Sequence, residues 1–289
     1  MHDNPKILIA GATGYLGRHL VQALQSQGNN FVALARNLDK LHNMGLSASQ
    51  IRQADVTDPA RLQGCCKDID LIISCVGITR QKDGLSYMDV DYQANINLLE
   101  QAEKSGVKAF IYISAFNEQK FQAVRLLYAK EQFAQRLLGS EVLEPLVIRP
   151  NGFYSDIDAL YEMAKSGKAY LFRPKNIRLN PIHGGDLAQF CLASIDPMLR
   201  KESERELDVG GPEIFSTTQI SQLAFQALNK TEKIIYLPDW VRKVSLALVK
   251  RLPENIGGAA EFFLTVTAQD MIAPAYGKHQ LLTHFKNIS

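Results

Sequence analysis

The sequence predicts an α/β fold, a doubly wound parallel sheet followed by a smaller, mostly helical C-terminal lobe. Three observations predict it. A short apolar run, Lys6-Ile-Leu-Ile-Ala10, enters glycines spaced three apart at Gly11, Gly14 and Gly17. Continuous Val/Ile/Leu runs then alternate with helical patterns as far as Pro150, the rhythm of parallel strands covered on both faces by crossover helices. After Pro150 that rhythm breaks.

Taken in order, residues 7–10 form a buried strand and 15–27 the helix it feeds, with Gly28 where a helix C-cap is expected. Residues 31–35 are the second strand, 50–54 a weaker third, and 61–66 a short helix. The fourth strand covers 69–76, the next helix 88–105 with Gly106 at its end, and the fifth strand 109–114. A helix over 122–138 and a strand over 146–148 complete the alternation. Beyond Pro150, a helix at 156–166 and a short strand at 169–172 precede an apolar helix at 183–194 that packs back on the sheet. The turn cluster Asp208-Val-Gly-Gly-Pro212 leads to helices at 217–228 and 240–252. This divides the chain into a sheet domain, 1–150 with 180–197 returning to it, and a lobe of 151–179 and 198–289. A lobe beyond the strand C-terminal ends would close over a ligand there.

Composition removes several function classes. The net charge is +2, from 32 Lys+Arg against 30 Asp+Glu over 289 residues, so no nucleic acid is expected as a partner. Met1 to Lys6 form no apolar leader, and no later apolar span is long enough to cross a bilayer, which reads as a cytoplasmic protein. Cys65, Cys66, Cys75 and Cys191 lack metal-ligand spacing. Reduced thiols and no metal are expected.

The glycines carry the first chemistry. The first allows a tight turn off the strand, the second lets backbone approach a phosphate, and the third lets the helix pack closely. The helix N-terminus adds N–H groups and a positive dipole end. Gly11, Thr13, Gly14, Tyr15, Leu16 and Gly17 are therefore assigned to a pyrophosphate site. The second strand ends Ala33-Leu34-Ala35-Arg36 without the acid that accepts from a ribose 2′-hydroxyl. A cation there accommodates a 2′-phosphate. Arg36, with Lys40 and Arg18 adding positive charge, favours NADP(H) over NAD(H), although Asp39 lies close in sequence. Asp55 and Val56, after the third strand, are placed beside the adenine.

Together the glycines, Asp55-Val-Thr-Asp58, Ser74-Cys-Val-Gly77, Tyr112-Ile-Ser114, Lys130, Arg149-Pro150 and His183-Gly-Gly-Asp186 resemble the extended and atypical short-chain dehydrogenase/reductase superfamily. The resemblance covers about two-thirds of the chain. It is nearest to the NmrA-like and isoflavone-reductase-like branch, which includes relatives of the complex I accessory subunit and of plastid photosystem-assembly factors. It implies a Rossmann fold and a cofactor held also by Cys75, Val76, Gly77, Ser114, Lys130, Pro150, Gly152 and Phe153. The superfamily's working enzymes use an Asn-Ser-Tyr-Lys set with Tyr and Lys at Y-x-x-x-K spacing. Ser114 and Lys130 match the serine and lysine, but Leu126 stands at the tyrosine position and Asp91 at the asparagine. Leucine has no proton to give. Tyr128, two residues from Lys130, points to a different helix face. The isoflavone-reductase resemblance then implies a lysine mechanism, with Lys130 desolvated and lowered in pKa and Ser114 orienting a carbonyl oxygen. The alternative is that Lys130 only holds ribose hydroxyls.

Tyr92, Tyr128, Tyr154 and His183 are further candidate proton donors, each more often a packed residue. Asp186 reads as a residue that caps or pins a helix rather than one that reacts. In residues 240–252, Trp240, Val241, Val244 and Leu248 share helical spacing while Arg242, Lys243, Lys250 and Arg251 decorate it. A lid helix burying this apolar side on the sheet domain is favoured over peripheral membrane contact. A Gly257-Gly258 hinge and the Phe262-Phe263-Leu264-Thr-Val266 run suit a plain core or a pocket for an apolar, quinone-like substrate. Two function readings follow: an NADPH-dependent reductase of a small apolar carbonyl, enone or quinone, and a non-catalytic NADP(H) sensor or assembly factor with a regulatory protein partner. A nucleotide-sugar epimerase or dehydratase ranks last, since it needs the missing tyrosine.

Overall fold

The computed structural model describes residues 4–78, 84–174 and 177–288. Its first elements are β1 (Ile7–Ala10), α1 (Tyr15–Ser26), β2 (Phe31–Ala35), α2 (Leu38–His42), β3 (Ile51–Gln53) and β4 (Leu71–Ser74). A π-helical turn, Met88–Gln93, runs into α3 (Ala94–Lys104), followed by β5 (Ala109–Ile113), α4 (Arg125–Leu138) and β6 (Glu144–Pro150). Then come α5 (Tyr154–Lys165), β7 (Ala169–Phe172), β8 (Arg178–Leu179), α6 (Gly184–Ala193), α7 (Ile195–Leu199) and β9 (Glu206–Val209). The chain ends with β10 (Phe215–Ser216), α8 (Thr217–Ala227), β11 (Ile234–Leu237), α9 (Asp239–Val249), α10 (Glu254–Val266) and α11 (Leu281–Asn287).

Seven strands form one sheet in the order β3-β2-β1-β4-β5-β6-β9. The first six pair in parallel. The reversal of order beside β1 is the switch point at which doubly wound sheets open a crevice. β1, β2, β4 and β5 are buried along their whole length, as apolar runs covered on both faces must be. Leu98, Leu99, Phe133 and Leu137 from α3 and α4 pack on Phe110, Tyr112 and Val147. The expected α/β doubly wound fold is thus found.

Chain contacts divide the molecule into two compact units. The first comprises Met1–Ser114, Glu118–Arg149 and Ala188–Leu207; the second comprises Ala115–Asn117, Pro150–Leu187 and Asp208–Ser289. The returning segment therefore starts and ends later than the expected 180–197, because the chain after α7 adds the seventh strand rather than entering the lobe. The second unit has its own core, in which Tyr154, Tyr161, Ile220, Phe225, Leu281 and Phe285 are buried together. It is mostly helical, as expected, with two short strand pairs: β11 pairs with β7 in parallel and β10 with β8 antiparallel.

Other local departures have physical causes. The expected 61–66 helix is a single 3-10 turn, Pro59–Leu62, capped by Asp58. Gly64 at φ 73° stops it from propagating. Gly257 and Gly258 are no hinge but buried residues inside α10, where a Cβ on Gly257 would strike the Val249 carbonyl oxygen. In α9 the expected burial of the apolar side is not found: Trp240, Val244 and Leu248 are exposed, and the buried side chain is Arg242.

One buried charge cluster underlies β6. Arg149 is 1% exposed and donates from Nε to Glu118 Oε1 at 2.9 Å, from Nη2 to Glu131 Oε2 at 3.2 Å, and from Nη1 to Glu206. Truncating one partner of a buried ion pair leaves the other uncompensated. Arg149→Ala should therefore cost about 3–5 kcal/mol, read as a lower urea midpoint with an unchanged denaturant slope; a loss within 1 kcal/mol or so of zero would contradict this role.

Candidate dinucleotide site

The glycine turn has the geometry its spacing implies. Gly11 has φ 78°, and a Cβ there would lie 2.9 Å from the Cys75 carbonyl oxygen. A Cβ on Gly17 would strike the Gly11 carbonyl oxygen, so α1 rests against the turn only because both residues lack side chains. Gly14 donates its N–H to Gly11 O at 3.0 Å and is the N-cap of α1, with no side chain capping that end. A helix end left uncapped by side chains is suited to an anion.

In front of it lies a cleft of about 400 Å³ lined by Gly11, Thr13, Gly14, Arg36, Lys40, Asp55, Val56, Cys75, Val76 and Gly77, among others. That volume falls in the range of small-molecule sites. Of the residues assigned to the cofactor, these ten are brought together. Tyr15, Leu16 and Gly17 form the helix behind the wall, with Leu16 4% exposed and packed into the core. Asp39, which weakened the NADP(H) reading, is not among the lining residues. Asn37 caps α2, its Oδ1 accepting from Asp39 N at 2.9 Å, which sets the turn carrying Arg36 and Lys40. Asp55 Oδ1 accepts from Thr57 N at 3.0 Å and from Thr57 Oγ1 at 2.7 Å. The cradle, its uncapped helix end and the basic rim fit a dinucleotide phosphate.

At Gly77 the wall meets a buried ion pair. Lys130 Nζ is 3.0 Å from Asp91 Oδ1, with side-chain exposures of 14% and 0%. The π-helical turn presents Asp91, whose Oδ2 accepts from Ile78 N at 3.2 Å. Asn95 fastens the same turn: it accepts from Ser74 Oγ at 2.6 Å and donates to the Asp91 carbonyl oxygen at 2.9 Å. Burial alone would lower the Lys130 pKa, but Tyr112, Asp91 and Glu118 outweigh it and hold the ammonium above its ordinary value. The lowered lysine that a lysine proton relay requires is therefore not produced by these surroundings. Leu126 is buried on α4 and Tyr128 is exposed, so neither stands in for the absent tyrosine. Tyr92 is half-buried against the core.

Ser114, at the end of β5, donates its hydroxyl to Glu118 Oε2 in a very short contact. Glu118 is fully buried, and one guanidinium, Arg149, serves three carboxylates. Desolvation pushes the Glu118 carboxyl up to about 7, against the pull of Ser114, Arg149 and Lys130. Sequence reasoning missed Glu118 and Asn95. The only signal was an acid four residues beyond Ser114 and an amide four residues beyond Asp91, neither of which reveals burial.

Pro150, Gly152 and Phe153 belong to the second unit. There Gly152 O accepts from Ile182 N at 2.9 Å, and Phe153 N donates to Asp156 Oδ2 at 2.9 Å. Tyr154 is buried with its hydroxyl donating to His279 O at 2.7 Å, and His183 stacks on His279 at 4.0 Å between centroids. Asp186 is no N-cap: Oδ2 accepts from Lys278 N and His279 N, and Oδ1 meets His279 Nδ1 at 2.8 Å. It pins the 277–279 segment. Among the described residues no group of His, Cys, Asp and Glu is arranged to hold a metal ion, and no helix is long and apolar enough to cross a membrane.

A doubly wound sheet with a glycine cradle and a basic rim at its switch point defines a dinucleotide-binding protein of the Rossmann type. The chain belongs to the NAD(P)H-binding family, which matches residues 11–197. It is similar to the chloroplastic divinyl chlorophyllide a 8-vinyl-reductase of Arabidopsis thaliana, 26% identical over 280 residues that cover 89% of this chain and 66% of that protein. It is also similar to the photosystem II assembly factor Ycf39 of a Synechocystis strain, 23% identical over 81% of this chain and 71% of the other. Among solved structures, the NADPH complex of the Escherichia coli quinone oxidoreductase QOR2 superposes with a TM-score of 0.69 at 16% identity, covering 98% of this chain and 99% of that one. At that identity the likeness concerns the fold.

Two expectations follow. Gly17→Ala forces α1 away from the turn, and NADPH affinity by fluorescence titration should fall at least tenfold, about 1.4 kcal/mol; unchanged affinity would show that the close approach is not needed. The second concerns pH. Glu118 has a folded pKa above its unfolded value, so its contribution is fully present below about pH 4.5 and is lost as pH rises through about 7. Stability should decline across that window by an amount on the order of 3 kcal/mol, and Glu118→Gln should flatten the decline in urea titrations at successive pH values.

Proposed function

We propose that the protein is an NADPH-dependent reductase of a small, largely apolar substrate with a polarised double bond, an enone, quinone or ketone, in the NmrA-like and isoflavone-reductase-like branch and placed in the cytoplasm. The observation that carries the reading is the Ser114–Glu118 pair. A carboxyl pushed up to about 7 and bonded to a serine hydroxyl is a proton source matched to neutral pH. It supplies what Leu126 lacks. Support for the phosphorylated cofactor comes from Arg36 and Lys40 on the cleft wall. Support for the reaction class comes from a relative named as a vinyl-reductase.

When bound, NADPH supplies the hydride. Lys130, kept cationic by Asp91, hydrogen-bonds ribose hydroxyls and stabilises negative charge developing on substrate oxygen. Ser114 orients that oxygen, or the enolate it becomes, and gives it a proton. Glu118 replaces the serine proton, and a proton returned through Ser114 once product has left restores the pair. The sum is one hydride and one proton added across the double bond.

The non-catalytic sensor or assembly factor is the second reading. The similarity to an assembly factor motivates it, and it needs the cradle but neither Ser114 nor Glu118. Mixing NADPH with the protein and a panel of enones, quinones and ketones separates the two. The reductase reading expects NADPH oxidation above background, a fall of 10²-fold or more in kcat for Glu118→Gln, and unchanged NADPH affinity in that variant. Binding without oxidation of any panel member would sink it, and a protein partner recovered only with NADPH would establish the sensor.

A further inference from the structure

The α9–α10 hairpin buries Arg242 and leaves an apolar stripe of α9 exposed. On α9, Trp240 is 65% exposed, Leu248 57%, and Val244 exposed between them. These lie at i, i+4 and i+8, one above another on a helix surface. Leu252 in the turn and Ile256 in the first turn of α10 are exposed as well. The buried side chain of α9 is Arg242, whose Nε donates to Asp239 Oδ1 at 2.7 Å and whose Nη1 donates to the Leu264 carbonyl oxygen at 2.8 Å. With Gly257 packed against the Val249 carbonyl, these bonds fix which face of α9 turns inward. Rotating the stripe inward would strip Arg242 of its partners, at the cost of an uncompensated charge.

The charge around the stripe narrows what can cover it. Lys243, Lys250 and Arg251 are exposed; the first two lie along one edge of the stripe and Arg251 falls within it on a helical projection. Of the hairpin's three acids, Asp239 is shared by Arg242 and Lys243, the latter at 3.0 Å, Glu261 is 2% exposed, and Glu254 is half-buried in the first turn of α10, so four basic residues stand against three acids. Protein interfaces are depleted of lysine at their centres. An apolar stripe carrying a tryptophan and edged with basic side chains is instead the pattern of a helix lying in a bilayer interface, where lysine and arginine stems extend toward phosphates.

We propose that the α9–α10 hairpin is a docking surface for an anionic lipid bilayer, with Trp240, Val244, Leu248, Leu252 and Ile256 entering the interfacial zone and Lys243, Lys250 and Arg251 meeting the headgroup phosphates. The proposal stands independently of the reductase reading and needs no cofactor or substrate.

Trp240 is the only tryptophan of the chain, so its emission reports this surface directly. The full chain is mixed with vesicles of phosphatidylcholine, or of phosphatidylcholine and phosphatidylserine, and followed by flotation and fluorescence. The expected result is flotation with the anionic vesicles, a blue shift of the emission, quenching by brominated acyl chains, and weakening by salt. Val244→Ser with Leu248→Ser, exposed and so tolerated by the fold, should lower the vesicle partition coefficient at least tenfold with the circular dichroism unchanged. Lys243→Glu with Lys250→Glu should do the same on anionic vesicles. Failure to float with either vesicle type, an unshifted tryptophan, or flotation indifferent to these variants would overturn the proposal. So would self-association without lipid that the Val244/Leu248 variant abolishes, since a second copy would then cover the stripe.

Discussion

Gly77 follows β4 directly beneath the ion pair of Asp91 and Lys130, and a Cβ there would lie 2.6 Å from Asp91 Oδ1 and 2.9 Å from Lys130 Nζ. The cofactor half of the molecule is organised from that point. Two residues before Gly77, the Cys75 carbonyl backs onto Gly11, and Gly11 in turn backs onto Gly17 at the start of α1. Each close approach requires a missing side chain, so a turn, two strands and a helix are locked by steric contact rather than by hydrogen bonds alone. The ion pair adds the far end of the chain of contacts, tying α4 to the π-helical turn that carries Asp91. Because both charges are withdrawn from water, neither can leave without stranding the other.

Two buried charge clusters then perform opposite tasks. Asp91 and Lys130 form a balanced pair whose acid keeps the base protonated. Around Arg149 the balance is broken: three carboxylates converge on one guanidinium, and burial pushes the carboxyl of Glu118, which is wholly withdrawn from solvent, up to about 7. The surroundings thus hold the lysine above its ordinary pKa and push the glutamate up to about 7. Ser114 links the second cluster to the end of β5.

What the sequence revealed and what it hid follow from the range of the forces involved. Strands at 7–10 and 31–35 were legible to the residue, because an apolar run bounded by turn residues is a local signal. The glycine spacing was legible for the same reason, as was the missing phenol at Leu126. The seventh strand was not, since β9 gains its place by pairing with distant β6 and carries little apolar pattern of its own. Glu118 was hidden because its character comes from burial beside Arg149, 31 positions away. Helix 240–252 shows the limit most plainly. Its periodicity revealed an amphipathic helix, but which face turns inward was decided by Asp239 and the Leu264 carbonyl satisfying Arg242, contacts that no hydrophobic pattern encodes.

The residue at position 126 bears on the packing of α4 and not on the cofactor site. Position 126 lies on the inward face of α4, 4% exposed. A phenol buried there would need a hydrogen-bond partner, whereas leucine needs only packing. Replacing one by the other is therefore neutral or favourable for folding and leaves the contacts from Gly17 to Lys130 untouched. Relatives named as a reductase and as an assembly factor are both similar to this one chain, as expected where a fold carries more than one function.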